Sequence, residues 1–359
     1  MLQKVSRHVP GKRAPVRSGA GRIALVLAGL LLLVLSVVVA VMVGSVNVPA
    51  ATVLRIALNE VWPGLVTPDW STGREAIVWE LRFPRALLAG LVGAGLALVG
   101  AALQSVTRNP LADPHLLGIS SGGAAGAILA LLHTGLFLGL LTVPLMAFAG
   151  ALVATLVVLG VTRFAAAASA DRLVLAGVAV SFVILSLANV LIFLGDPRAT
   201  HTVVFWMLGG LGLAQWNHLV YPIVVLALVA LWLFARSPDL DAMTIGDETA
   251  ATLGIAVTRF RLSVFVAGAL VTGVMVAFSG LIGFVGLMMP HIARALTGGS
   301  YRRVLPVSML LGAIFLIWAD ILARTLMAPE DMPIGIVTGL TGGLFFIVLL
   351  RSRAGAGRA

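Results

Sequence analysis

The chain has 359 residues, of which 60% are hydrophobic and 11% charged, with a formal net charge of +10 and no cysteine. So apolar a chain cannot bury its side chains in a water-soluble core, so it is read as an integral membrane protein. Its basic residues sit at the ends of apolar runs and form no binding face, which excludes nucleic acid as a partner, and disulfides, thiolate metal sites and cysteine nucleophiles are ruled out.

In chain order, residues 1–22 carry Lys4, Arg7, Lys12, Arg13, Arg17 and Arg22 with no acid, and an uncharged run follows to Leu54. That run exceeds the roughly 7–15 apolar residues of a signal peptide and offers no clean cleavage site. A cytosolic basic terminus (1–22) and an uncleaved first span, Ile23 to Val43, are therefore expected. The polar stretch Asn47 to Arg85 balances acids against arginines and suits the outside face. A second span covers Ala86 to Val106. In TRNPLADPHLLG (107–118), Asn109-Pro110, Pro114 and Gly118 predict a re-entrant bend or tight loop.

Residues 116–162 contain no Asp, Glu, Lys or Arg. At about 20 residues per crossing they hold two spans, parted near Gly139 to Pro144. RFAAAASADR (163–172) reads as a small inside loop and Leu173 to Leu194 as the fifth span. A short outside helix, Thr202 to Gly212, precedes a sixth span, Leu219 to Ala235.

The largest polar island after residue 86 comes next, RSPDLDAMTIGDETAATLGIAVTRFR (236–261). Ser237-Pro238 predicts a helix start, with Ser237 as the cap and proline first in the helix. Gly246 ends that helix, Asp247 caps a second (Glu248 to Leu253), and Gly254 stops it. Leu240, Met243, Ile245, Leu253 and Ile255 are interleaved with the charges, a pattern suited to docking in a groove of another protein. The seventh span ends near Gly280, the eighth runs from Ile282 to Leu296, the ninth from Leu305 to Leu326, and the tenth from Ile334 to Leu350. A basic tail (351–359) closes the chain. Ten spans put both termini inside, with a transmembrane domain over 23–350. All but six of the 24 Lys and Arg (Arg55, Arg74, Arg82, Arg85, Arg198 and Arg324) then lie inside, as the positive-inside rule requires.

Glycines crowd the spans, with Gly90, Gly93, Gly95 and Gly100 in the second and Gly268, Gly273 and Gly280 in the seventh, which predicts close helix approach. AGLVGAGLALVGA also echoes AGALVTGVMVAFSG, as in inverted transporter repeats. Chemistry is sparse. No phosphate-binding loop is present, because the only Gly-Lys pair, Gly11-Lys12, is followed by arginine. Asp320 is the one acid well inside a span, and Arg324 lies four residues on, so an intramembrane ion pair is expected. His291 reads as a packing residue. His8, His115, His133, His201 and His218 are scattered and form no metal constellation, although His201 and His218 flank the outside helix. No paired carboxylates suggest catalysis. Energy must come from a partner, or from an ion gradient if the chain is a secondary transporter.

Long motifs then fall in order: LRFPR (81–85), NPLADPHLLGISSGGAAGA (109–127), GDETAATLG (246–254), GLIGFVGLMMPHIAR (280–294), ADILAR (319–324) and MPIGIVTGLTGG (332–343). Over almost its whole length the chain resembles the FecCD-type permease subunits of type II ABC importers, which move cobalamin, ferric siderophores and haem. The resemblance implies an all-α membrane fold of about ten transmembrane helices per subunit, assembled as a homodimer in lipid of the bacterial inner membrane. It further implies two separate ATPase subunits, which use ATP and Mg, and a periplasmic substrate-binding protein, with no cofactor on this chain. Arg82, Arg85 and Arg324 would receive acids of the binding protein. Coupling helices at 237–254 would present Asp239, Gly246, Asp247, Glu248, Ala250, Leu253 and Gly254 to the ATPase. The fifth and tenth spans would line the pathway, with residues 163–172 near the inner gate. Among substrates, an iron-bearing chelate is expected, haem ahead of ferric siderophore or cobalamin.

Overall fold

The computed structural model describes residues 19–44, 46–164 and 170–356. Most of the basic terminus 1–22, the centre of the 163–172 turn and the last residues of the tail lie outside that range. The described residues form helices and connecting turns, with no strand among them.

The helices are α1 (Gly19–Met42), α2 (Ala50–Val61), α3 (Thr72–Thr107), α4 (Ile119–Thr134), α5 (Thr142–Phe164), α6 (Ala170–Leu194) and α7 (Thr200–Met207). They continue with α8 (Val220–Ala235), α9 (Ser237–Ile245), α10 (Asp247–Thr252), α11 (Val257–Ser279), α12 (Val285–Thr297), α13 (Tyr301–Thr325) and α14 (Ile334–Ala356). Eight described helices are long and apolar enough to cross a membrane, namely α1, α3, α5, α6, α8, α11, α13 and α14. The third and eighth expected spans are the short helices α4 and α12, which complete about ten membrane segments. Each short helix follows a long span and a non-helical link, at 108–113 after α3 and at 280–284 after α11.

The polar stretch 47–85 is more helical than its composition suggests. It contains α2, whose Val53 and Ile56 are fully buried one turn apart, and α3 begins at Thr72, fourteen residues before the expected start. Its polar composition disguised these helices. Ser71 caps α3 by accepting from the Arg74 N–H, and one wide π-type turn, Ile77–Arg82, shifts the register just before the membrane-buried part.

α3 is the axis of the molecule. Of its most apolar stretch, 83% is buried, and it touches α1, α8, α9, α11, α12 and α13, packing most extensively on α13. By contrast α1, α6 and α14 bury only 11%, 17% and 22% of theirs, leaving broad apolar faces that no other part of the chain covers. The α3–α13 crossing is backbone on backbone: a Cβ at Gly93 would lie 2.1 Å from the Gly312 carbonyl oxygen, and one at Gly312 would lie 2.2 Å from that of Gly93. Gly100 meets Gly286 of α12 in the same way, at 2.0 Å. In lipid no hydrophobic force pulls helices together, so such close approach supplies the dispersion contacts that do.

Candidate functional site

Two polar clusters sit at opposite ends of the buried part of α3, some 20 residues apart and so about 30 Å along its axis. Where the first meets α3, Ser105 Oγ donates to the Leu240 carbonyl of α9 at 2.7 Å, and Leu240 and Met243 of α9 are fully buried. These two apolar positions therefore anchor the elbow to its own chain and are not available to a partner, contrary to the docking pattern read from the sequence. Exposed instead are Ile245 (69%) and Leu253 (65%), together with Thr244, Glu248 and Thr249.

The caps of the elbow also differ from expectation. Ser237 lies inside α9 and its hydroxyl donates back to Phe234, while the capping position is Arg236, which makes no side-chain cap but pairs with Asp239 at 2.5 Å. Asp247 opens α10 without capping it. Its carboxylate accepts two bonds from Arg261 Nη2, at 2.7 and 2.8 Å, with Arg108 Nη2 at 3.5 Å. Charge-assisted bonds from a guanidinium outweigh a single backbone N–H, which is why the anchor displaces the cap. Gly246 joins the two helices at φ 148°, ψ 157°, a conformation open essentially to glycine alone. Gly254 follows at φ 83°, and Ala250 is fully buried. Of the seven residues expected to meet an ATPase, Glu248, Leu253 and Gly254 are exposed, Asp239, Gly246 and Asp247 are partly buried, and Ala250 faces inward.

Sequence reading missed the rest of this cluster. Asp241 accepts from the Tyr301 N–H at 2.6 Å and from Ser300 Oγ at 3.2 Å, so it caps α13 from another element. Arg294 of α12 donates to Gln104 Oε1 at 2.6 Å, and Gln104 Nε2 donates to the Gly286 carbonyl at 3.1 Å. These partners lie 60 to 190 residues apart, and no local pattern announces them.

The second cluster gathers the three arginines expected to receive a binding protein. Arg82 donates to the carbonyls of Val41 (2.8 Å), Met42 (3.0 Å) and Val46 (2.5 Å), and Arg324 to those of Val43 (3.1 Å) and Ala40 (2.8 Å). These oxygens include carbonyls of the last turn of α1, which lack partners within their helix and carry its negative dipole end, so two guanidiniums close that helix from outside. A Cβ on Gly44 would come within 2.5 Å of Arg82 Nη2, so glycine there makes room for the clasp. The expected Asp320–Arg324 pair is present at 3.1 Å, although Arg324 Nε is poorly aligned for a hydrogen bond. Asp320, 1% exposed, is held better by Arg85, whose Nε lies 3.0 and 3.2 Å from its two oxygens. Arg85 also donates to Asp331 at 2.6 Å, which the sequence did not single out. Arg82 and Arg324 are only 7% and 8% exposed, so both are committed internally.

Beside this cluster on α2, the Glu60 carboxyl is raised above its ordinary value, by burial first and then by Glu75 and Glu80. A raised native value favours the fold at low pH, and that contribution is lost as pH climbs through it. A cleft of about 540 Å³ between α4, α5, α7 and α11 is lined by Trp206, Phe278, His201 and His218 among others. His218 is buried and packs on Phe278 with ring centroids 5.4 Å apart, which makes it a packing residue.

Comparison with known proteins bears directly on this arrangement. The family model described as the FecCD transport family matches residues 31–352. The chain is 37% identical over 346 residues to the ABC transporter permease protein YvrB of Bacillus subtilis (strain 168), itself uncharacterised, covering 95% of this chain and 97% of that protein. It is 39% identical over 313 residues to the vitamin B12 import system permease protein BtuC of Salmonella typhimurium, covering 86% of this chain and 94% of BtuC. Among solved structures, an inward-facing metal-chelate type ABC transporter superposes with a TM-score of 0.78 at 30% identity, covering 92% of this chain and 99% of the other. PsaBC of Streptococcus pneumoniae shares the fold alone, at 21% identity over 74% of this chain and 90% of that one, with a TM-score of 0.51.

Proposed function

This chain belongs to the FecCD transport family, and on that premise we propose that two copies of it form the membrane pathway of a bacterial inner-membrane importer for a bulky metal chelate. It is a type II ABC importer permease and not an enzyme, working with a separate ATPase and a substrate-binding protein. In our reading both termini and the elbow at 237–254 face the cytosol. The thinly buried α6 and α14 meet their counterparts across the two-fold axis. For cargo we favour cobalamin over haem, because vitamin B12 import permeases are among the relatives.

The observation that carries this reading is the build of the elbow. Its inner side is fixed to α3, α11 and α13 by buried Leu240 and Met243 and by the Asp241 and Asp247 bonds, while Ile245, Glu248 and Leu253 stand exposed. A rigid base with an exposed tip suits transmission of a push from an ATPase. The test is uptake of radiolabelled cobalamin or haem, delivered by the cognate binding protein, into proteoliposomes holding permease and ATPase. Uptake that persists without ATPase and collapses with an uncoupler would instead establish an ion-coupled transporter.

Two elbow variants sharpen the test. Glu248→Arg is expected to weaken ATPase binding by about 2 kcal/mol, roughly thirtyfold, as for a central interface residue. Gly246→Ala has space for its methyl group, the nearest atom being Arg108 Nη1 at 4.0 Å, so its penalty is backbone strain alone, about 1–3 kcal/mol. It should therefore leave the permease folded while cutting uptake per ATP hydrolysed. Unaltered uptake in both would remove the coupling role.

Docking of a binding protein at Arg82, Arg85 and Arg324 is proposed with unequal shares. Arg85, beside exposed Asp331, is placed to exchange a partner, whereas Arg82 and Arg324 close α1. Arg82→Gln should lower thermal stability in detergent, since each charged hydrogen bond contributes about 1.5–3 kcal/mol. Its effect on binding-protein affinity per folded molecule should be small and insensitive to salt. A strongly salt-dependent loss of affinity at unchanged stability would return Arg82 to the docking surface.

A further inference from the structure

We propose that Arg261 is a positioning residue that latches the elbow to the end of α3, so that a push on α10 enters the central rod directly. This rests on the coupling role proposed for the elbow and adds the route by which force leaves it. Arg261 lies in the first turns of α11, yet its side chain is only 2% exposed. Its Nε donates to the Val106 carbonyl at 3.0 Å, in the final turn of α3, where carbonyls lack helical partners. Its Nη2 holds both oxygens of Asp247, the first residue of α10. One planar group therefore ties three elements together: the tip helix, the rod and the span that follows the elbow.

The chemistry selects arginine. A guanidinium presents donors in a fixed fork, so Nε and Nη2 can serve α3 and α10 at once, whereas lysine offers a single point of attachment. Arg108, at φ 52° just beyond α3, adds a second cation 3.5 Å from Asp247 but is about half exposed, so it reinforces the latch without fixing it. Leu240 and Met243 hold α9 on one side of Gly246 and Ala250 is buried on the other, so the Asp247–Arg261 pair is the charged tie that joins α10 to α3 across that glycine.

The chain has no native cysteine, so paired labels report the latch cleanly. Spin labels at Ala251→Cys on α10 and Leu111→Cys beyond α3, both exposed, should give one narrow distance distribution in the full transporter when only one of its two permease copies carries the pair. Arg261→Met should broaden it, and the ratio of uptake to ATP hydrolysed should fall at least fivefold while assembled complex per lipid stays near the wild-type level. Arg261→Lys should restore part of the ratio, and it serves as the test variant if the methionine form does not assemble. A merely structural role would lower the amount of complex and leave the ratio unchanged, which would overturn the proposal. An unbroadened distribution would overturn it too, as would broadening with an intact ratio. Failure of the coupling reading shows separately, as uptake in the unsubstituted transporter that ignores the ATPase.

Discussion

Asp320→Asn is expected to sharply reduce recovery of folded permease and to cost the fold about 3–5 kcal/mol, the usual consequence of removing one partner from a buried ion cluster. Asp320 is 1% exposed and sits between Arg85 at 3.0 Å and Arg324 at 3.1 Å. Asparagine keeps the shape but removes the charge. Arg85 retains Asp331, but Arg324 is left with carbonyl oxygens alone, in a setting where water cannot compensate it. Fluorescence-detected size exclusion after a temperature ramp would measure the loss. If the charge is what matters, adding Arg324→Gln to Asp320→Asn should recover part of the stability, because the two substitutions then couple. Simple additivity would show that Arg324 is held by the α1 carbonyls and not by Asp320.

Second in size is a contrast between two glycines three residues apart. Gly93→Ala should prevent stable packing of α3 on α13, because its Cβ would lie 2.1 Å from the Gly312 oxygen, a backbone atom that moves only with its helix. Gly90→Ala should be close to neutral, since its Cβ meets Ile317 Cδ1 at 3.6 Å, an ordinary contact with a flexible end. Overpacking in a rigid interface costs about 1–3 kcal/mol or more, and here it falls on the most extensive helix pair in the molecule. Thermal unfolding of the two variants side by side would separate them. Equal stability would mean that the helices part more readily than backbone contact implies.

That contrast shows where sequence reading stops. Gly90 and Gly93 carry the same signal in one dimension, and only the partner helix distinguishes them. The crossings were legible because charge-free runs punctuated by Arg and Asp follow from the cost of polar groups in lipid, so spans such as Ala170–Leu194 and Val257–Ser279 emerged within a few residues. Asp320 and Arg324 were legible as neighbours on one helical face. Arg85–Asp320 and Arg85–Asp331, 235 and 246 residues apart, were not, and neither was Arg261, whose partner Asp247 looked like an ordinary cap. α2 was missed although Val53 and Ile56 keep helical spacing, because the stretch was read for its charge balance alone. Local rules reveal what a segment wants on its own; clasps made between distant segments obey geometry that no local rule contains.

Those long-range clasps have a consequence for synthesis. Ribosomes deliver α3 to the membrane about 235 residues before Asp320 exists. During that interval Arg85 is an arginine without its acid, at the edge of a span, where its long side chain can still reach the interface. Closure of this cluster therefore has to follow the synthesis of α13, which puts it among the last steps of assembly.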